Sequence, residues 1–74
     1  MTIEEAKQNL EQKIIMWDGV RGLGTVEKNG ATLIEVAIDI NNYVLRGKIN
    51  QLLTEGYWQG HKVEVVSANS FNFY

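Results

Sequence analysis

The amino-acid sequence predicts an α+β fold: a two-layer α-β-β-α-β domain in which a β-hairpin and a third strand are covered on one face by two helices. Apolar residues recur at helical spacing near the N-terminus and again over residues 42–55. Between these stretches, two β-prone runs flank Asn29-Gly30, a dipeptide suited to a two-residue hairpin turn. A β-branched run at 62–66 closes the order. The connection through the second helix should be a right-handed crossover, making the third strand parallel to the second where they share a sheet.

The first helix lies within residues 1–17. Thr2 followed three residues later by Glu5 is a capping box, whose hydroxyl and carboxylate satisfy orphan N–H groups of the first turn. Ile3, Ala6, Leu10 and Ile14 then form one apolar stripe, with Glu4, Lys7, Gln8 and Glu11 on the solvated side. Asp18-Gly19 ends the element.

The hairpin covers residues 20–39, with strands Val20–Lys28 and Ala31–Asp39. Both turn residues must take φ > 0, which Asn and Gly tolerate. Pairing Lys28 with Ala31 fixes the remaining register. One face then carries Arg21, Leu23, Thr25 and Glu27 opposite Ile38, Val36, Ile34 and Thr32. The other carries Val20, Gly22, Gly24 and Val26 opposite Asp39, Ala37, Glu35 and Leu33. Only the first has a run of large branched apolar residues, so it is expected to face the core.

In the second helix, residues 42–55, the expected stripe is Val44, Leu45, Ile49, Leu52 and Leu53, with Arg46, Lys48, Asn50 and Gln51 toward water. Gly47 in its middle costs about 1 kcal/mol relative to Ala and hints at close packing there. Gly56 reads as a C-terminal cap. Residues 57–60 link to the third strand, 62–66. The tail, residues 67–74, is polar except for Phe71, Phe73 and Tyr74.

A chain of 74 residues fits one domain, residues 1–74. So short a domain buries only about 60% of its unfolded surface, and with no Cys it has neither disulfide nor thiolate metal site as reinforcement. Small scaffolds often gain the missing stability by self-association. Hydrophobic residues at 45% and charged residues at 22% argue against disorder. Residues 2–13 lack the apolar core of a signal peptide, and no apolar run approaches the roughly 20 residues of a membrane span. The expected location is the cytoplasm. A net charge of −2 and a pI of about 5.2 disfavour a nucleic-acid partner.

Chemistry-bearing patterns are sparse. Gly19-Val20-Arg21-Gly22-Leu23-Gly24 invites a phosphate-loop reading, but its glycines fall inside a strand and no Lys-Ser/Thr follows. Gly22 and Gly24 instead relieve strand twist or admit another backbone or ring closely. Glu35 and Asp39 share a sheet face, with Glu64 a candidate neighbour, and paired carboxylates can hold a hard cation or exchange protons. His61, the only histidine, sits at a loop-to-strand junction and reads as a surface residue. No Ser or Thr has a nucleophile context. No catalytic residue, cofactor or metal ligand is therefore assigned, and enzyme activity is disfavoured. The aromatic residues could stack bases if basic residues interleaved with them. The seven Lys and Arg are scattered over every element, so core filling or interface anchoring suits the rings better.

The expected function is a non-catalytic interaction module that binds a second copy of itself or another protein, with no membrane partner. Its candidate interface residues are Phe71, Phe73 and Tyr74 in the tail and Gly22, Gly24, Glu35 and Asp39 on the sheet. The tail is expected to pack, and more readily across an oligomer than on its own chain. Alternatives are a small-molecule or metal binder using Glu35 and Asp39, and a nucleic-acid-binding α+β platform.

At the hairpin, Gly19, Val20, Gly22 and Gly24, followed by Leu33, Ile34 and Val36, form a Gly-Val-x-Gly-x-Gly strand, a short turn and a second strand rich in Ile and Val. With a looser match at Gly60 and Val63, the stretch from Asp18 to Val66 resembles a small bacterial α-β-β-α-β domain found alone or beside trypsin-like protease domains. The resemblance implies the same fold and supplies no catalytic residues.

Overall fold

The computed structural model describes residues 2–39 and 43–67. Its elements are α1 (Ile3–Ile14), β1 (Val20–Lys28), β2 (Ala31–Ile38), α2 (Tyr43–Leu52), β3 (Tyr57–Trp58) and β4 (His61–Ser67). They form an α+β domain with a mixed four-stranded sheet in the order β1-β2-β4-β3. β1 and β2 are antiparallel, and β4 runs parallel to β2 after the α2 crossover.

α1 begins as its sequence dictates. The Thr2 hydroxyl oxygen accepts from the Glu5 N–H at 3.2 Å, and the Glu5 carboxylate accepts from the Thr2 N–H at 3.4 Å. Ala6, Leu10 and Ile14 are fully buried and Ile3 packs beside them. They meet Ile34, Val36 and Ile38 of β2, Val63 of β4, and Leu45, Ile49 and Leu53 from the α2 region in one core cluster. Both helices thus lie on the Leu23–Val36 face of the sheet.

The hairpin turns at Asn29 (φ 53) and Gly30 (φ 80), and its register runs as expected from Lys28↔Ala31 to Gly22↔Ala37. Beyond Gly22 it departs. A β-bulge makes Arg21 an extra residue, so Val20 rather than Arg21 pairs with Ile38. Val20 thereby joins the core margin, and Arg21 turns outward to solvent. A charged residue beside a glycine gains hydration by leaving the core face, and a bulge permits that without breaking the rest of the ladder.

Three further expectations need correction. Val44 is not part of the buried α2 stripe, being 80% exposed at the first turn. Gly47 is exposed with open space where a Cβ would stand, so close packing does not explain it. The helix ends at Leu52, not at residue 55, because Glu55 (φ 53) and Gly56 (φ 83) form a second tight turn. There Thr54 and Tyr57 each donate a backbone N–H to the other's carbonyl at 2.9 Å.

The link at residues 57–60 supplies an extra strand. Tyr57 and Trp58 pair with Lys62 and His61 across Gln59 (φ 51) and Gly60 (φ 85), a third two-residue turn with both φ positive. The Trp58 indole N–H donates to the Ala6 carbonyl at 3.0 Å, tying this hairpin to α1.

Candidate functional site

The sheet face turned away from the helices carries the expected interface residues that lie among those described. Register builds it in rows: Gly24, Glu35 and Glu64 form one, and Gly22, Ala37 and Val66 the next. Parallel pairing of β2 with β4 sets the two carboxylates side by side, a repulsive arrangement in isolation. Lys28, at the turn end of β1, resolves it. Its ammonium lies 2.8 Å from Glu64 Oε2 and 3.7 Å from Glu35 Oε2. The hydrogen bond from Lys28 holds the Glu64 carboxyl below its usual range, and the same bond raises the Lys28 ammonium above its own.

Asp39 stands apart from this cluster. Its carboxylate pairs with Arg21 Nε at 2.6 Å, and its backbone N–H donates to the Gly19 carbonyl at 3.0 Å. Glu35 and Asp39 therefore each face a cation of the chain, and they do not converge. Among the described residues no group of three or more His, Cys, Asp or Glu could hold a metal ion. His61 is half-buried and pairs with Trp58 in the short hairpin. Phe71, Phe73 and Tyr74 lie outside the described residues.

The sheet edges differ. β1, nine residues long, forms one edge, and its bulge and its exposed Arg21, Glu27 and Lys28 discourage indiscriminate strand addition. The two-residue β3 covers only the start of β4. Arg46 of α2 reaches toward the remainder, its Nη1 donating to the Val65 carbonyl at 3.5 Å.

Sequence reasoning missed a second surface, where α1 gives way to β1 and α2 begins. Met16, Val44 and Tyr43 are 89%, 80% and 78% exposed. Val44 also lines an open cavity of about 230 Å³, together with Trp17, Asp18, Leu45 and Lys48. Lys48 Nζ lies 4.4 Å from the centroid of a Trp17 ring, so the cavity wall combines an indole with a cation. The available signal was the break in helical period: Met16 falls beyond the first stripe, and Tyr43 and Val44 precede the residues that the second one buries.

No helix among the described residues is long and apolar enough to cross a membrane. Comparison with known protein families, curated proteins and solved structures returns no match to this chain.

Proposed function

We propose that this chain is a cytoplasmic, non-catalytic interaction module that self-associates through the apolar end formed by Met16, Trp17, Tyr43 and Val44. The observation that carries this reading is the exposure of Val44 at the wall of one cavity, with exposed Met16 and Tyr43 next in the chain to its lining residues Trp17 and Val44. Contiguous apolar surface of this kind marks interaction sites on small proteins. A second copy suits it better than an arbitrary partner, because among the described residues the cavity wall holds a cation, Lys48, and an anion, Asp18. In a two-fold arrangement the same patch meets itself, so each copy's Lys48 can face the other's Asp18. The core of so short a chain also leaves stability to be gained by burying that end.

Sedimentation equilibrium on the full chain tests this reading. A dimer is expected, and a Met16→Lys/Val44→Lys double substitution should reduce it to a monomer with unchanged circular dichroism. A wild-type chain that stays monomeric at millimolar concentration refutes the reading.

A further inference from the structure

Asp18 and Lys48 put opposite charges on the wall of one cavity, yet among the described residues neither enters an ion pair. They therefore stand beyond ion-pair distance of each other. The Lys48 ammonium lies 4.4 Å from the centroid of a Trp17 ring. An ammonium carries three donors, and a ring engages only one side of it. The rest of the wall is apolar: Trp17, Leu45, which is 4% exposed, and Val44, which is 80% exposed. Val44 and Leu45 belong to the first turn of α2, which holds no acidic residue, so the helix dipole there favours an added anion.

The size and charge of the cavity select a ligand class. Its volume of about 230 Å³ lies below the roughly 300–1,000 Å³ of pockets for drug-sized molecules, which suits a small metabolite. A simple anion would gain Lys48 but meet repulsion from Asp18, and a simple cation the reverse. A molecule carrying a carboxylate and an ammonium on neighbouring atoms answers both charges at once. An apolar side chain on that molecule would cover the exposed Val44 and rest against the indole.

We propose that the cavity binds a free α-amino acid with an apolar side chain, its carboxylate on Lys48 and its ammonium on Asp18. The site is complete within one chain, so it stands apart from self-association, although both draw on the same two charges.

Titration of the full chain with L-leucine, followed by nitrogen–proton correlation spectra, tests the proposal. The protein is first diluted until sedimentation shows a monomer. The Trp17 indole N–H should shift to saturation, while the Trp58 indole, bonded to the Ala6 carbonyl, stays still as an internal control. N-acetyl-leucine, which lacks the ammonium, and leucinamide, which lacks the carboxylate, should each bind several-fold more weakly. Lys48→Gln should weaken leucine several-fold and leave leucinamide unchanged; Asp18→Asn should weaken leucine and leave N-acetyl-leucine unchanged. A Trp17 signal that does not saturate, or equal affinity for the three compounds, overturns the proposal. A chain that binds leucine yet never dimerises would refute self-association alone, and a dimer whose diluted monomer ignores leucine would refute this site alone.

Discussion

Arg21 and Lys28 show how single side chains decide what a face of this sheet can do. Alternation placed Arg21 on the core side, but one inserted backbone position turns it outward onto Asp39. The bulge was illegible because glycine at 22 tolerates either conformation and no residue type announces the insertion. Lys28 was legible as a turn-flanking residue but not as the cation that serves two carboxylates, since that requires knowing that β4 lies parallel beside β2. The pairing has a pH signature. Glu64 is held below its ordinary value of 4.5 by the hydrogen bond from Lys28, and Glu5 by the one from the Thr2 hydroxyl. A depressed carboxylate contributes stability that is present above the ordinary value and is lost as pH falls through the lower, folded value. Lys28 is raised above 10.5, so its contribution is present below that value and lost as pH rises through the folded one. Urea midpoints measured against pH should therefore fall at both extremes. Glu64→Gln should flatten the alkaline limb and part of the acid limb, leaving the share due to Glu5; unchanged limbs would show that the ion pair does not form in solution.

At the scale of elements, local turn chemistry was readable where the residues were typical and silent where they were not. Asn29-Gly30 identified the hairpin, its register and hence the core face. Glu55-Gly56 and Gln59-Gly60 make turns of the same kind, yet Glu and Gln carry little preference for positive φ, so β3 went unseen and α2 was drawn too long. The glycines separate these cases experimentally. Gly47 is helical, exposed and has open space at its Cβ position. Gly47→Ala should stabilise the fold by about 0.5–1 kcal/mol through helix propensity. Gly60 also has room, but its φ of +85 strains any L side chain. Gly60→Ala should destabilise by about 1 kcal/mol and loosen the hydrogen bond between the Trp58 indole and α1. Opposite signs in chemical denaturation are the expected result; equal signs would contradict one of the two backbone assignments.

For the whole molecule, the two faces of one sheet answer to different demands. Val36 sits at the centre of the core and is fully buried, whereas Glu35, one residue away, lies on the rear face against Lys28. Val36→Asp should abolish cooperative unfolding by burying an unpaired charge, and Glu35→Ala should change stability little because Lys28 keeps Glu64. Thermal melts rank the pair, and a reversed order would invert the sheet. The core side was legible because burying branched residues on one face leaves no other register. The apolar end was not, because Trp17 and Val44 come to line one cavity only once the segment after α1 and the start of α2 are brought together by the fold.

That end offers the most discriminating test of association, because its two charges have opposite signs. In a two-fold dimer Asp18 of one copy faces Lys48 of the other, and this contact occurs twice. Asp18→Lys alone sets lysine against lysine at both places, and Lys48→Asp alone sets aspartate against aspartate. Each single variant should dissociate several-fold more readily than the wild type, since like charges meeting across an interface are penalised. Mixing the two variants in equal amounts restores an opposite-charge pair at both contacts, so heterodimers should form. Native mass spectrometry of the mixture reads the outcome directly if one variant carries a heavy isotope label. Selective heterodimer formation supports the two-fold arrangement. A statistical distribution of species would show that Asp18 and Lys48 do not meet, and that any association uses another surface.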